Sequence, residues 1–172
     1  MMRSAWVSSE NAAHILAALT LENRIACEIS LATGLRIGDV LSIKTEQLMK
    51  SEGRFTVKEE KTGKSKSVRL PNSLLMSALK IAGRFFVFEN RLDPKKHRTR
   101  QAVYKDIKRA AKLFRFTENI SCHSLRKTYA VEQYQKSGGD LQRVKQLLNH
   151  TDEAVTYIYA LANCLDKKRK KR

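Results

Sequence analysis

The sequence predicts an α+β fold that is mostly helical, with one small three-stranded antiparallel sheet. In the first third and the second half of the chain, apolar residues recur at spacings of three and four, which is typical of amphipathic helices. Between residues 55 and 70 they alternate with polar residues, which is typical of half-buried strands. A length of 172 residues with 42% hydrophobic residues is sufficient for one compact domain.

The first third is predicted to hold three helices. The first begins near Ser8, whose side chain can cap it. The second carries Ile25 and Ile29 on one face and ends at Gly34, a residue type that commonly terminates helices. A short third helix is predicted from Arg36 to about Ile43.

A β-hairpin is predicted in the middle of the chain. Phe55 and Val57 alternate with polar residues before the polar segment 59–66, and a second alternating run ends at Pro71. The segment Thr45–Met49 is the expected third strand.

Helices are predicted again in the second half. One begins near His123 and is broken at Gly138-Gly139, and Asp140 can cap the next. Asp152 can cap a last helix that carries Tyr159. Another precedes these, with an apolar face formed by Val103, Ile107, Ala110, Ala111 and Phe114. The segment between the hairpin and that helix, Asn90–Arg100, contains Pro94 and is expected to be a mobile loop.

The chain is strongly basic. It has 34 Lys and Arg against 17 Asp and Glu, a net charge of +17, and its last six residues are all Lys or Arg. Because the body remains basic without this tail, a polyanionic partner is favoured over a basic protein that binds nothing. Charge alone does not separate DNA from RNA or an anionic membrane.

The cysteines and the apolar segments argue against several other classes of protein. Cys27, Cys122 and Cys164 form no C-x-x-C pair, so neither a zinc finger nor a disulfide framework is expected. No apolar run approaches the ~20 residues of a membrane span. The start of the chain lacks an apolar signal core. We therefore expect a soluble, intracellular protein of a reducing cytoplasm.

Six polar residues are the candidates for chemistry, because together they suit metal-free attack on a phosphodiester. Such attack requires an oxygen nucleophile, cationic donors around the phosphate, and an acid for the leaving alkoxide. Arginine binds phosphate through two parallel hydrogen bonds, and histidine titrates near neutral pH. The six residues are Arg36, Lys61, His123, Arg126, His150 and Tyr159.

Each candidate also has a simpler interpretation. A single arginine in so basic a chain is more often a surface residue, and a histidine three residues before an arginine often caps or fills a helix junction. Lys64 and Lys66 are as available in the hairpin as Lys61. Nor does the pattern of residues alone favour Tyr159 over Tyr129 or Tyr157, because most tyrosines pack rather than react.

The order and context of these residues resemble the catalytic domain of the tyrosine recombinases, the phage integrase family. The resemblance extends from about Ser8 to Ala160. Asp39 and Val40 replace the family's Glu and Leu, and Asn149 replaces its Gly. The matching motifs are Thr33–Val40, Lys61–Lys64, His123–Lys127 and Leu148–His150, with Tyr159 nine residues after His150.

The resemblance implies a role for each candidate. Arg36, Arg126 and His150 would hold the scissile phosphate, and His123 would act as a base and phosphate ligand. Lys61 would protonate the leaving 5′ oxygen, and Tyr159 would form a 3′-phosphotyrosyl bond, so that no metal, ATP or other cofactor is needed. Lys64, Lys66 and Lys127 are expected to contact DNA as well. The implied partner is double-stranded DNA, bound by a homotetramer, with a monomer left open for the free protein.

The domain organisation follows from the same resemblance. Residues 1–165 would be the catalytic domain, the family's N-terminal DNA-gripping domain would be absent, and residues 166–172 would form a basic tail. Two alternatives stay open. A type IB topoisomerase shares the tyrosine chemistry, and a non-catalytic DNA-binding protein could retain the fold.

Overall fold

The protein is mostly helical, with one antiparallel hairpin, in a computed structural model that describes residues 4–148, 155–158 and 161. The helices before the hairpin are α1 Ser9–Ala17, α2 Leu21–Thr33, α3 Ile37–Leu41 and α4 Thr45–Met49. The hairpin strands are β1 Arg54–Lys58 and β2 Ser65–Arg69. The later helices are α5 Asn72–Ile81, α6 Arg100–Leu113, α7 Cys122–Lys136 and α8 Leu141–Leu147. Residues 155–158 are also helical.

Helix α2 lies at the centre of the packing and contacts α1, α3, α5 and α7. Its buried face carries Ile25 and Ile29, as the sequence predicts, and it joins the large apolar core. A second, smaller cluster joins α7 and α8 to residues 155–158 through Ala130, Val144 and Ile158. The two clusters meet along α7, so this helix is held from both sides.

Residues at the helix ends confirm several boundary predictions. The Ser8 side chain accepts a hydrogen bond from the Asn11 amide, and the Asp140 side chain accepts one from the Arg143 amide. Gly34 ends α2 with φ of +67°. Helix α7 ends before Gly138 and Gly139, both of which have positive φ.

The predicted third strand is wrong. Thr45–Met49 forms helix α4, and the described residues hold a two-stranded sheet in which Phe55 pairs with Val68. The buried positions Thr45 and Leu48 are three residues apart, which is helical spacing, whereas a strand would bury alternate positions. Immediately before this helix, Lys44 forms an isolated antiparallel bridge with Phe86.

Two segments follow the hairpin: a helix that the sequence did not predict, and the predicted loop. Helix α5 was not predicted; it follows Pro71, which supplies its N-cap position, and it buries Ala78. The segment expected as a mobile loop folds back on itself, because the Asn90 amide donates to the Lys96 carbonyl at 2.9 Å. Its end is fixed by a 2.6 Å bond from Arg98 Nε to Asn23 Oδ1.

Candidate active site

Four of the six candidate residues line one cleft of about 450 Å³. Arg36 lies at the N-cap of α3, Lys61 in the hairpin turn, and His123 and Arg126 in the first two turns of α7. These segments are far apart in sequence, so the cleft is a product of tertiary packing. The other two candidates, His150 and Tyr159, lie outside the described residues.

The backbone before Arg36 is held by side chains of the Thr33-Gly34-Leu35 segment and its neighbours. Thr33 Oγ1 accepts from the Leu35 amide at 3.2 Å, and Ser30 Oγ donates to the Leu35 carbonyl at 2.7 Å. Leu35 is fully buried. The chain therefore leaves α2 in one direction and presents the Arg36 side chain to the cleft.

Glu59 joins Arg36 to the hairpin turn. Its Oε2 accepts from Arg36 Nη1 at 2.8 Å and from Thr62 Oγ1 at 2.8 Å. Burial alone would raise the pKa of Glu59, but the Thr62 hydroxyl and the charges of Arg36 and Arg126 outweigh it and lower the pKa. Glu59 is therefore an ionised carboxylate at neutral pH, beside two arginines.

Asp39 is an acidic residue that lines the cleft, and it is 2% exposed. Its Oδ1 accepts from the Glu60 amide at 2.9 Å, and its Oδ2 is buried with no hydrogen-bond partner among the described residues. Burial raises the pKa of Asp39, and the neighbouring Glu59 charge adds to this; the Glu60 amide and the two arginines oppose it. The pKa of Asp39 is thus shifted in the opposite direction to that of Glu59.

His123 and Arg126 are presented by the capped start of α7. Ser121 and Ser124 form a capping box, in which each side chain accepts from the backbone amide of the other residue. The Ser121 hydroxyl also accepts from the His123 amide. His123 is exposed, whereas Arg126 is only 2% exposed. Because a helix N-terminus carries partial positive charge, this end of α7 favours an anion beside His123.

The predicted lysines have different surroundings. Lys61 and Lys64 are exposed in the hairpin turn. Lys66 Nζ donates to the Thr33 carbonyl at 2.9 Å. Lys127 is buried; its Nζ donates to the Ser4 carbonyl at 2.6 Å and lies 5.5 Å from the Tyr157 ring centre. Lys66 and Lys127 therefore tie parts of the fold together.

Tyr129 and Tyr157, the two alternatives to Tyr159, have different surroundings. Tyr129 packs against Gly34 and Lys66, and burial raises its pKa, which suits a packing residue. Tyr157 is half-buried in the helical stretch 155–158. Neither lines the cleft.

Sequence reasoning missed Glu59 and Arg100. The sequence held a signal for Glu59, because this residue continues the inward alternation of Phe55 and Val57. In the structure, Glu59 is 5% exposed. Arg100, the first residue of α6, also lines the cleft, and its side chain covers Gly38. In so basic a chain, no sequence signal distinguishes this arginine from the others.

The site is a basic cleft with donors suited to a planar or tetrahedral anion. Three arginines, a lysine and a histidine line it, together with buried Asp39 and exposed Glu60. In residues 4–148, 155–158 and 161, no three His, Cys, Asp or Glu side chains are grouped to hold a metal ion. Nor does any helix in this part of the chain have the length and apolar character needed to cross a membrane.

Comparison with known proteins identifies the family. The phage integrase family matches residues 6–164, and the chain belongs to it. A tyrosine recombinase of Thermosipho africanus is 28% identical over 143 residues, which cover 81% of this chain and 49% of that protein. The integrase of Escherichia phage P2 is 27% identical over 159 residues, covering 91% and 43%.

Solved structures share the fold of this chain. The crystal structure of a lambda integrase tetramer bound to a Holliday junction superposes with a TM-score of 0.71 at 22% identity, over 88% of this chain and 48% of that one. The chain thus spans about half the length of the curated relatives it matches.

Proposed function

We propose that this chain is the catalytic domain of a site-specific DNA recombinase that cleaves and rejoins strands through a 3′-phosphotyrosyl intermediate on Tyr159. Residues 1–165 would form this domain, with residues 166–172 as a basic tail. The observation that carries the proposal is the convergence of Arg36, Lys61, His123 and Arg126 on one cleft. Membership of the phage integrase family supports it.

The cleft suits a phosphodiester because its donors can surround the non-bridging oxygens. Arg36 and Arg126 would each bind the phosphate, with His150 as a third ligand. As negative charge builds on these oxygens in the transition state, the guanidinium groups stabilise it more than they stabilise the ground state. Helix α7 adds the partial positive charge of its N-terminus.

The reaction is a balanced transesterification. The Tyr159 phenol loses its proton to His123 and attacks phosphorus, so that a tyrosine O–P bond forms and the bond from phosphorus to the 5′ oxygen breaks. Lys61 gives a proton to the leaving 5′ oxygen. Rejoining reverses each step with the 5′ hydroxyl of the partner strand. The energy of the phosphodiester is retained in the covalent bond, so no external energy source is consumed.

The proposed partner is double-stranded DNA. The net charge of +17 supports binding to its phosphates, and exposed Lys64 is available for a contact beside the cleft. We further propose a homotetramer on DNA, which the lambda integrase tetramer on a Holliday junction supports by analogy. Lys66 and Lys127 remain proposed DNA contacts: the ammonium group of each donates to one backbone carbonyl within the fold and has two further N–H donors.

The test is covalent trapping on a nicked suicide duplex in EDTA. The duplex should come from DNA that flanks the gene. Its nick lies close to the cleavage position, so cleavage releases a short fragment and prevents rejoining. We expect a protein–DNA adduct on a denaturing gel for the wild type and none for Tyr159→Phe, with equal DNA binding by both.

Other products would separate the alternatives. Relaxation of supercoiled DNA without recombinant joints would favour a type IB topoisomerase. Salt-dependent binding by the wild type with no adduct, on a substrate that a full-length relative cleaves, would contradict the catalytic proposal and leave a DNA-binding protein.

A further inference from the structure

Glu59 is a buried carboxylate beside the cleft, bonded to Arg36, one of the arginines that line it. It follows β1 on the same inward face as Phe55 and Val57 and is 5% exposed. Burying an ionised carboxylate is unfavourable unless charged or hydrogen-bonding partners compensate it. The partners of Glu59 therefore indicate what the residue does.

One carboxylate oxygen of Glu59 accepts hydrogen bonds from two segments that are distant from each other in sequence. Oε2 accepts from Arg36 Nη1 on the α3 side and from Thr62 Oγ1 in the hairpin turn, each at 2.8 Å. The Arg36 and Glu59 side chains are 15% and 7% exposed, so water screens this ion pair weakly. The contact is charge-assisted and part-buried, which gives it more orienting power than a surface pair.

The backbone of Glu59 also forms the base of the turn. Its amide donates to the Lys64 carbonyl at 2.9 Å, and its carbonyl accepts from the Gly63 amide at 2.8 Å. Lys61 lies inside this closed turn. Movement of the Glu59 side chain would therefore disturb both the Arg36 guanidinium and the turn that presents Lys61.

We propose that Glu59 is a positioning residue, which sets the Arg36 guanidinium and the Lys61 turn at a fixed separation across the cleft. The inference rests on the proposed function, in which Arg36 binds the phosphate and Lys61 protonates the leaving oxygen. A guanidinium has five N–H donors, so binding one carboxylate oxygen does not exhaust its capacity for phosphate.

This role has a signature that a purely electrostatic role lacks. Glu59 places a negative charge near the DNA, so its removal strengthens DNA attraction in the ground state. Loss of its two bonds lets Arg36 and the turn move, and displacements of about 1 Å can cost about 100-fold in rate. A positioning residue thus predicts slower cleavage together with unchanged or tighter binding.

The experiment compares Glu59→Gln with Glu60→Gln. Glu60 is the neighbouring residue, is exposed and lines the same cleft, so its variant removes the same charge without breaking a bond to Arg36. Single-turnover adduct formation should fall at least about tenfold for Glu59→Gln, by the same sensitivity to misplacement. Glu60→Gln measures the effect of losing a negative charge from the cleft, and it should lack the fall seen for Glu59→Gln. Both variants should bind DNA at least as tightly as the wild type.

Variants of Thr62 keep the test valid if Glu59→Gln folds poorly. Thr62→Val removes the hydroxyl with little change in volume, and Thr62→Ser restores it. We expect slower cleavage for Thr62→Val and recovery for Thr62→Ser, at equal stability to urea.

Two different failures can be told apart. Suppose that the wild-type protein forms the adduct. If Glu59→Gln then cleaves as fast as the wild type, or if Glu59→Gln and Glu60→Gln lose equal activity, the positioning role alone is overturned. Absence of an adduct from the wild type would overturn the proposed function, and the role of Glu59 with it.

Discussion

The ring of Tyr129 lies against Gly34, so closely that a β-carbon on Gly34 would be 2.6 Å from Tyr129 Cδ1. Gly34 also has φ of +67°, a conformation that residues with a side chain rarely adopt. Gly34 stands two residues before Arg36, and Tyr129 is three residues after Arg126 on α7. This contact therefore sets how closely the two arginine-bearing segments approach.

Replacement of Gly34 by alanine should destabilise the protein through two effects. The positive φ costs about 1–2 kcal/mol for an L-residue, and the steric overlap with Tyr129 adds to this. Gly63→Ala is the matched control, because Gly63 has the same φ of +67° with no atom within 4 Å of an added β-carbon. Urea unfolding should show a larger loss for Gly34→Ala by at least about 1 kcal/mol, as expected for overpacking. Equal losses would mean that the Tyr129 contact is unimportant.

The proposed acid role of Lys61 predicts rescue by a better leaving group. Lys61→Ala should slow cleavage of ordinary DNA by about 100-fold or more, the usual contribution of a general acid. A substrate with sulfur in place of the bridging 5′ oxygen needs no proton to leave, so the variant should cleave it at close to the wild-type rate. Single-turnover assays with both substrates measure this.

Lys64→Ala is the control for that comparison. Lys64 is exposed in the same turn, and its loss removes a phosphate contact at most. Lys64→Ala should weaken DNA binding, and its cleavage rate relative to the wild type should be the same for the oxygen and the sulfur substrate. A sulfur substrate that rescues both variants, or neither, would contradict the assignment of Lys61.

Asp106 predicts acid sensitivity of the fold. Its carboxylate accepts from the Thr20 amide at 2.9 Å, from Asn23 Nδ2 at 2.7 Å and from Arg109. Burial would raise the pKa of Asp106, but these bonds outweigh it and lower the pKa below its ordinary 3.8. The resulting stability is present above that value and is lost as pH falls through the lower native pKa.

Asp106→Asn should therefore lose about 2 kcal/mol at pH 7, the scale of a buried hydrogen bond to a charged group. Its deficit relative to the wild type should shrink below about pH 4. Urea titrations at several pH values measure this. A deficit that stays constant down to the lowest pH at which both proteins fold would show that ionisation of Asp106 is irrelevant.

Asp39 predicts the opposite pH dependence. Burial raises its pKa above the ordinary 3.8, so its contribution to stability is complete below that value and is lost as pH rises through the native pKa. Asp39→Asn keeps an oxygen for the Glu60 amide and removes the buried charge. Relative to the wild type, the variant should gain stability as pH rises from 4 to 7. Parallel curves across this range would contradict the pKa shift.

Local sequence patterns were sufficient for the hairpin and several helix ends. The four candidate residues that line the cleft were singled out by the family resemblance, because each residue alone has a simpler interpretation. The patterns failed where tertiary packing decides the outcome. Thr45–Met49 is a helix that packs against α5, a helix that the sequence did not predict. The contact from Glu59 to Arg36 joins residues whose proximity no local pattern encodes.

Identification of the residue that becomes linked to DNA tests the central claim most directly. The adduct formed in EDTA on the nicked duplex would be digested with protease and nuclease, and the modified peptide sequenced by mass spectrometry. We expect a 3′-phosphoryl nucleotide on Tyr159. Attachment to Tyr157 or any other residue, or the absence of an adduct where DNA binding is intact, would contradict the account.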